Sequence, residues 1–131
     1  MADYPDHLRY TETHEWVQLD GDIATMGITS YALAQLSDLV DLEITCEPGD
    51  SLNPGDTIAE VESVKAASDI YLPVAGEVTE VHEGLGDEID LVMEDPYGRG
   101  WIIKFKPADP ASLGALMNVS AYVEQTADAE E

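Results

Sequence analysis

Three lysines are the most unusual chemical groups in this sequence, because its 131 residues include 28 acidic side chains and only 5 basic ones. Lys104 and Lys106 alternate with Phe105, which predicts that they project from the solvent face of a strand. Lys65 differs, since it lies between two strand-like segments among small and polar neighbours. We expect it at the tip of a hairpin, where its exposed primary amine could anchor a covalent tether.

Other reactive side chains form no recognisable constellation. The three histidines, His7, His14 and His82, lack a metal-ligand spacing, so we expect no metal site. Cys46 is the single cysteine, which excludes an intramolecular disulfide, and no nucleophile motif is present. These residues therefore indicate neither metal-dependent nor nucleophilic catalysis.

The elements that must position Lys65 are mostly strands, because apolar residues alternate with period two and the interruptions are short. We predict a hairpin turning at Asp20-Gly21, a strand that buries Val40, Leu42 and Ile44, and a polar loop over residues 84–90. Short helices should begin at Thr29 or Ser30 and at Asp109-Pro110. The Gly-Asp-x-Ile strings at 55–58 and 86–89 form a weak repeat. The predicted fold is mostly β, a flattened sandwich or barrel with short helices, including a C-terminal one.

Charge and length constrain the partners and the surroundings. We expect one domain over residues 1–123 and a frayed acidic tail over 124–131. The net charge of −23 argues against nucleic acid and anionic membrane surfaces as partners. Because such charge opposes compaction unless salt screens it, a salt-adapted organism is the natural source. The N-terminal segment lacks a signal-peptide core, so we expect a cytoplasmic protein.

Several motifs occur in one order along the chain and resemble a known family. They are ESVKA at 62–66 with SD at 68–69, PVAGEV at 73–78, THEW at 13–16, IATMGIT at 23–29 and EDPYGRGWIIK at 94–104. Together they resemble the lipoyl-attachment hairpin and flanking strands of the glycine cleavage H-protein family. The resemblance covers roughly Tyr10 to Val123. It departs from the family pattern at four positions, Asp41, His82, Ile89 and Met93.

The resemblance implies a swinging-arm carrier that catalyses nothing itself. Lys65 would hold lipoate in amide linkage, attached by a lipoate ligase or an octanoyl or lipoyl transferase. The arm would visit a pyridoxal-phosphate glycine decarboxylase, a folate-dependent aminomethyltransferase and a dihydrolipoamide dehydrogenase. Biotin is the weaker alternative, because biotinyl lysines normally lie between methionines, whereas Val64 and Ala66 flank Lys65.

The resemblance also implies a cleft for the loaded arm, lined by Thr13, Glu15, Asp69 and Ile28. Glu15 would pair with the cationic aminomethyl group. The alternative is a strand carboxylate that faces water. Two other functions stay open at this point: an H-like lipoyl donor or relay for other lipoate-dependent complexes, and an unmodified adaptor domain.

Overall fold

The structure, a computed structural model, describes residues 8–11, 14–36, 39–64 and 67–129. Within these ranges the chain forms nine strands, three α-helices and two 3₁₀ helices. The strands are β1 Arg9–Tyr10, β2 Glu15–Asp20, β3 Ile23–Ile28, β4 Leu39–Ile44, β5 Ser51–Leu52, β6 Thr57–Ser63, β7 Ala67–Tyr71, β8 Gly76–Val81 and β9 Ile103–Pro107. The helices are α1 Ser30–Leu36, α2 Ile89–Glu94 and α3 Val119–Ala129, with 3₁₀ helices at Leu85–Asp87 and Pro110–Ala115.

The strands form two antiparallel sheets, which confirms the predicted mostly-β architecture. One sheet has the order β1-β2-β3-β9-β8-β5 and the other the order β4-β6-β7. Apolar residues from both sheets make one continuous core, whose fully buried members include Met26, Ile58, Ile103 and Phe105. Successive side chains of a strand point to opposite faces of its sheet. The alternating apolar residues of each strand therefore face the core.

The β2–β3 hairpin turns at Gly21-Asp22, one residue later than predicted, because Asp20 still pairs with Ile23. Gly21 has a φ of +68°, a conformation that glycine adopts at no steric cost. Further along β3, Gly27 lies under the Trp16 ring, where an added Cβ would stand 2.9 Å from the indole nitrogen. This close contact packs β2, the strand that begins at Glu15, tightly against β3.

Two Pro-Gly-Asp turns flank β5 and have matching geometry. Gly49 and Gly55 have φ values of +98° and +90°. The carboxylates that follow them, Asp50 and Asp56, accept hydrogen bonds from backbone amides three residues earlier, at 2.9 and 2.8 Å. The repeat suggested for 86–89 is wrong as a structural unit, because residues 85–87 form a 3₁₀ helix and α2 follows. The expected 84–90 loop is therefore largely helical.

Strand β4 does not bury all the residues predicted. Leu42 is buried and Ile44 packs against the core, but Val40 is 51% exposed. The reason is a bulge between Leu39 and Asp41, which breaks the alternation and leaves Leu39 to pack against the core in place of Val40.

The C-terminal region contains two helical segments. Asp109 accepts a hydrogen bond from the Ala111 amide at 3.2 Å, so the predicted cap is confirmed, although the helix it begins is 3₁₀. Helix α3 then continues to Ala129, so residues 124–129 are helical, while residues 130–131 lie outside the described residues and fraying of the tail stays a prediction. Tyr122 anchors α3 by stacking on Tyr10 with ring centroids 4.6 Å apart.

Candidate functional site

The segment that contains Lys65 connects two paired antiparallel strands. In the β6–β7 hairpin, Glu60 pairs with Asp69 and Glu62 pairs with Ala67. Val64, the residue after β6, is 72% exposed. Lys65 and Ala66 lie outside the described residues. The two strands that sequence patterning places on either side of the lysine are thus confirmed, and the conformation of Lys65 remains a prediction.

The outer face of the three-stranded sheet carries carboxylates in two rows. Glu43, Glu60 and Asp69 lie opposite one another across the three strands, and Asp41 lies opposite Glu62. All five are exposed and line a groove of about 460 Å³. Like charges directly opposite each other destabilise a sheet. The face that leads to the Lys65 segment is therefore strongly negative and costly to form in dilute salt.

Glu15, by contrast, is a buried carboxylate. Its side chain is 1% exposed, so the reading of a strand carboxylate facing water is wrong. The Thr11 hydroxyl donates to Oε1, and the Tyr71 backbone amide donates to Oε2 at 3.2 Å. Strand β7 is at the edge of its sheet, so no further strand pairs with it there. Glu15, which belongs to the other sheet, accepts from the Tyr71 amide of this edge strand and thereby links the two sheets.

The other predicted cleft residues differ in their position relative to Glu15. Ile28 lies directly opposite Glu15 in the β2–β3 pairing and is buried. Asp69 is two residues before Tyr71 on β7, but it is exposed on the acidic outer face. Thr13 lies outside the described residues. Glu15 and Ile28 therefore share one buried site, and Asp69 lies on the strand that bounds it.

His14 is a structural residue that the sequence reasoning missed. It has a φ of +72°, and its Nδ1 lies 2.8 Å from the Tyr122 hydroxyl. That hydroxyl also lies 2.7 Å from Thr29 Oγ1. The His14 ring packs on Tyr31 at 4.5 Å, and burial lowers the pKa of the imidazole below its usual 6.5. This network fixes the backbone beside Glu15.

The remaining candidates have no visible chemical role. Burial raises the pKa of the Cys46 thiol to about 11, so it stays protonated and unreactive near neutral pH. Within the described ranges, no three His, Cys, Asp or Glu side chains are grouped so that they could hold a metal ion. None of the helices described here is long and apolar enough to cross a membrane.

The fold is thus two packed antiparallel sheets, and the described residues on either side of the β6–β7 connection, Val64 and Ala67, are exposed. A glycine cleavage system H protein from Mycobacterium marinum has a similar structure, with a TM-score of 0.84 and 34% identity over 95% of this chain and 99% of that one. Glycine cleavage system H proteins from Marinobacter nauticus and Acaryochloris marina are 48% and 46% identical, covering 100% and 92% of this chain and 100% and 93% of their own.

The family model described as "Glycine cleavage H-protein" matches residues 8–129. The chain belongs to the glycine cleavage H-protein family. Its role is that of a lipoyl shuttle of the glycine cleavage system, a carrier rather than an enzyme.

Proposed function

We propose that Lys65 bears lipoate in amide linkage and is the only lipoylated lysine of this chain. The hairpin supports this assignment, because β6 ends just before the lysine segment, β7 begins just after it, and Val64 is highly exposed. The other two lysines lie within β9 instead, where Lys104 pairs with Glu80 and stacks over the Trp101 ring at 5.1 Å, and Lys106 pairs with Glu77. A hairpin end can enter an enzyme's active site more readily than the middle of a strand.

We propose that the lipoyl arm alternates between solvent and a sheltered position beside Glu15. When bound, lipoate supplies a disulfide that accepts the aminomethyl group left by glycine decarboxylation. We assign Glu15 to pairing with the cationic amine of that group, with Thr13 and Asp69 as further polar contacts and Ile28 as the apolar wall. The buried carboxylate of Glu15 supports this assignment, since a desolvated charge attracts a cation more strongly than an exposed one.

The proposed partners follow from this carrier role. They are the pyridoxal-phosphate glycine decarboxylase, the folate-dependent aminomethyltransferase, dihydrolipoamide dehydrogenase, and the ligase or transferase that modifies Lys65. A long flexible arm serves several active sites in turn, because the tether raises the effective concentration of its end at each one.

We further propose a salty cytoplasm as the working environment. The net charge of −23 and the rows of carboxylates facing each other across β4, β6 and β7 support this proposal. Molar salt shortens the Debye length to about 3 Å, which removes most of the repulsion between exposed charges.

The exposed residues on either side of the β6–β7 connection, Val64 and Ala67, carry the proposal, and Lys65→Arg tests it. Arginine keeps the positive charge but has no acylatable amine, so the fold should persist while lipoylation is lost. Wild type and variant are incubated with a lipoate ligase, and intact masses are recorded. Wild type that stays unmodified, or a variant that gains the lipoyl mass, would contradict the assignment.

A further inference from the structure

Two exposed valines lie where β4 meets the end of the β6–β7 hairpin. Val64 directly follows Ser63, and Ser63 pairs with Leu39, the residue before Val40. Neighbouring strands are about 5 Å apart, so Val40 and Val64 lie at the same end of the sheet. Their exposed fractions, 51% and 72%, are the highest among the large hydrophobic side chains of the described residues. We refer to them as the valine pair.

The exposure of Val40 has a specific structural cause. The bulge between Leu39 and Asp41 turns Val40 out of the core and leaves Leu39 to pack in its place. Exposing a large apolar side chain at this end of the sheet forgoes burial free energy. Two such side chains at one end of the sheet present apolar surface that a partner can cover.

We infer that the valine pair is the docking surface for the enzyme that acylates Lys65, an inference that rests on the proposed attachment at that lysine. Before modification, the reactive amine of Lys65 lies no farther from the backbone than the length of a lysine side chain. The acylating enzyme must therefore contact the hairpin end itself. Enzymes that meet the lipoylated arm can dock further away, because the arm spans the distance.

The surroundings of the valine pair define the chemistry of that partner. Asp41 and Glu62 pair with each other next to the bulge, and both are exposed. The complementary surface is an apolar pocket bordered by basic side chains. In molar salt the charged border is screened, so the apolar contact supplies most of the recognition.

The reaction that this docking serves is amide formation. The Lys65 amine attacks the carboxyl carbon of lipoyl adenylate, which the ligase makes from lipoate and ATP with release of pyrophosphate. The new C–N bond replaces the bond to AMP, and the amine loses one proton. The valine pair takes no part in this step and acts only by holding the two proteins together.

The test compares lipoylation of unmodified full-length proteins by a purified lipoate–protein ligase supplied with lipoate and Mg-ATP. The double variant Val40→Thr/Val64→Thr keeps the β-branched shape and loses apolar surface. The matched control is Leu19→Thr, which alters a 43%-exposed apolar residue at the far end of β2. Thermal unfolding of each variant is recorded, and initial rates are taken from intact mass in dilute buffer and in molar potassium chloride.

We expect the double variant to lower kcat/KM for lipoylation about tenfold at both salt concentrations, and Leu19→Thr to match wild type. Asp41→Asn should slow the reaction in dilute buffer only. Equal rates for the double variant and wild type would overturn the inference. So would an equal loss in aminomethyl loading of the fully lipoylated double variant, which would indicate a general docking surface. Wild type that is never lipoylated would instead overturn the attachment at Lys65 as well.

Discussion

Replacing Glu15 with glutamine tests whether the buried carboxylate shelters the aminomethyl group. The substitution suits the site because glutamine can preserve both side-chain contacts. Its carbonyl oxygen can accept from the Tyr71 amide, and its NH₂ group can donate to Thr11 Oγ1. Glu15→Gln therefore removes the negative charge with little change in packing.

The expected effect follows from the burial of this charge. A charge-assisted hydrogen bond contributes about 1.5–3 kcal/mol, and Glu15 is only 1% exposed, so solvent screens it weakly. Losing it should shift the loaded arm toward water and accelerate release of the aminomethyl group about tenfold to a hundredfold. The control Glu43→Gln alters an exposed carboxylate on the acidic face that has no proposed contact with the arm, and in molar salt its effect should be much smaller.

The assay follows spontaneous hydrolysis. Each lipoylated protein is loaded from glycine, the decarboxylase is removed, and ammonia and formaldehyde are measured over time in molar potassium chloride. We expect Glu15→Gln to release both products faster than wild type and Glu43→Gln. Equal release by all three proteins would refute the pairing of Glu15 with the amine.

Three further predictions concern stability. The melting temperature should rise steeply between dilute buffer and molar potassium chloride because screening relieves the repulsion of 23 net negative charges, and a flat profile would remove the argument for a salty cytoplasm. Tyr122→Phe removes the hydroxyl shared by His14 and Thr29 and should lower the free energy of unfolding in urea by about 1–3 kcal/mol, whereas unchanged stability would show that the network contributes little. Because burial lowers the pKa of His14 in the folded state, protonation favours unfolding, and stability should fall as the pH drops below the usual 6.5. His14→Asn, which tolerates the positive φ, should flatten this part of the pH profile, and parallel profiles would exclude His14 as the cause.

Local signals in the sequence predict the parts of the fold that depend on neighbouring residues. Alternation places β6 and β7 on either side of Lys65, and Thr29 caps α1 by accepting from the Ala32 amide at 3.2 Å. Asp109 likewise caps the helix that begins at Pro110. Each of these depends on contacts within a few positions along the chain, which is why short patterns suffice.

The remaining features depend on contacts between distant parts of the chain. Glu15 is buried because Tyr71, 56 residues later, donates to it, and His14 is fixed by Tyr122, 108 residues later. The bulge that exposes Val40 is set by the pairing of β4 with β6 and leaves no mark in the alternation. Helix α3 extends to Ala129 although its last turns are polar, with Tyr122 stacked on Tyr10 near its start.

Peptide mass mapping of the protein isolated from its native cells tests the central claim most directly. We expect the mass of one amide-linked lipoyl group on the peptide that contains Lys65, and unmodified peptides at Lys104 and Lys106. A lipoyl group on Lys104 or Lys106, or an unmodified Lys65 in cells that actively cleave glycine, would contradict it.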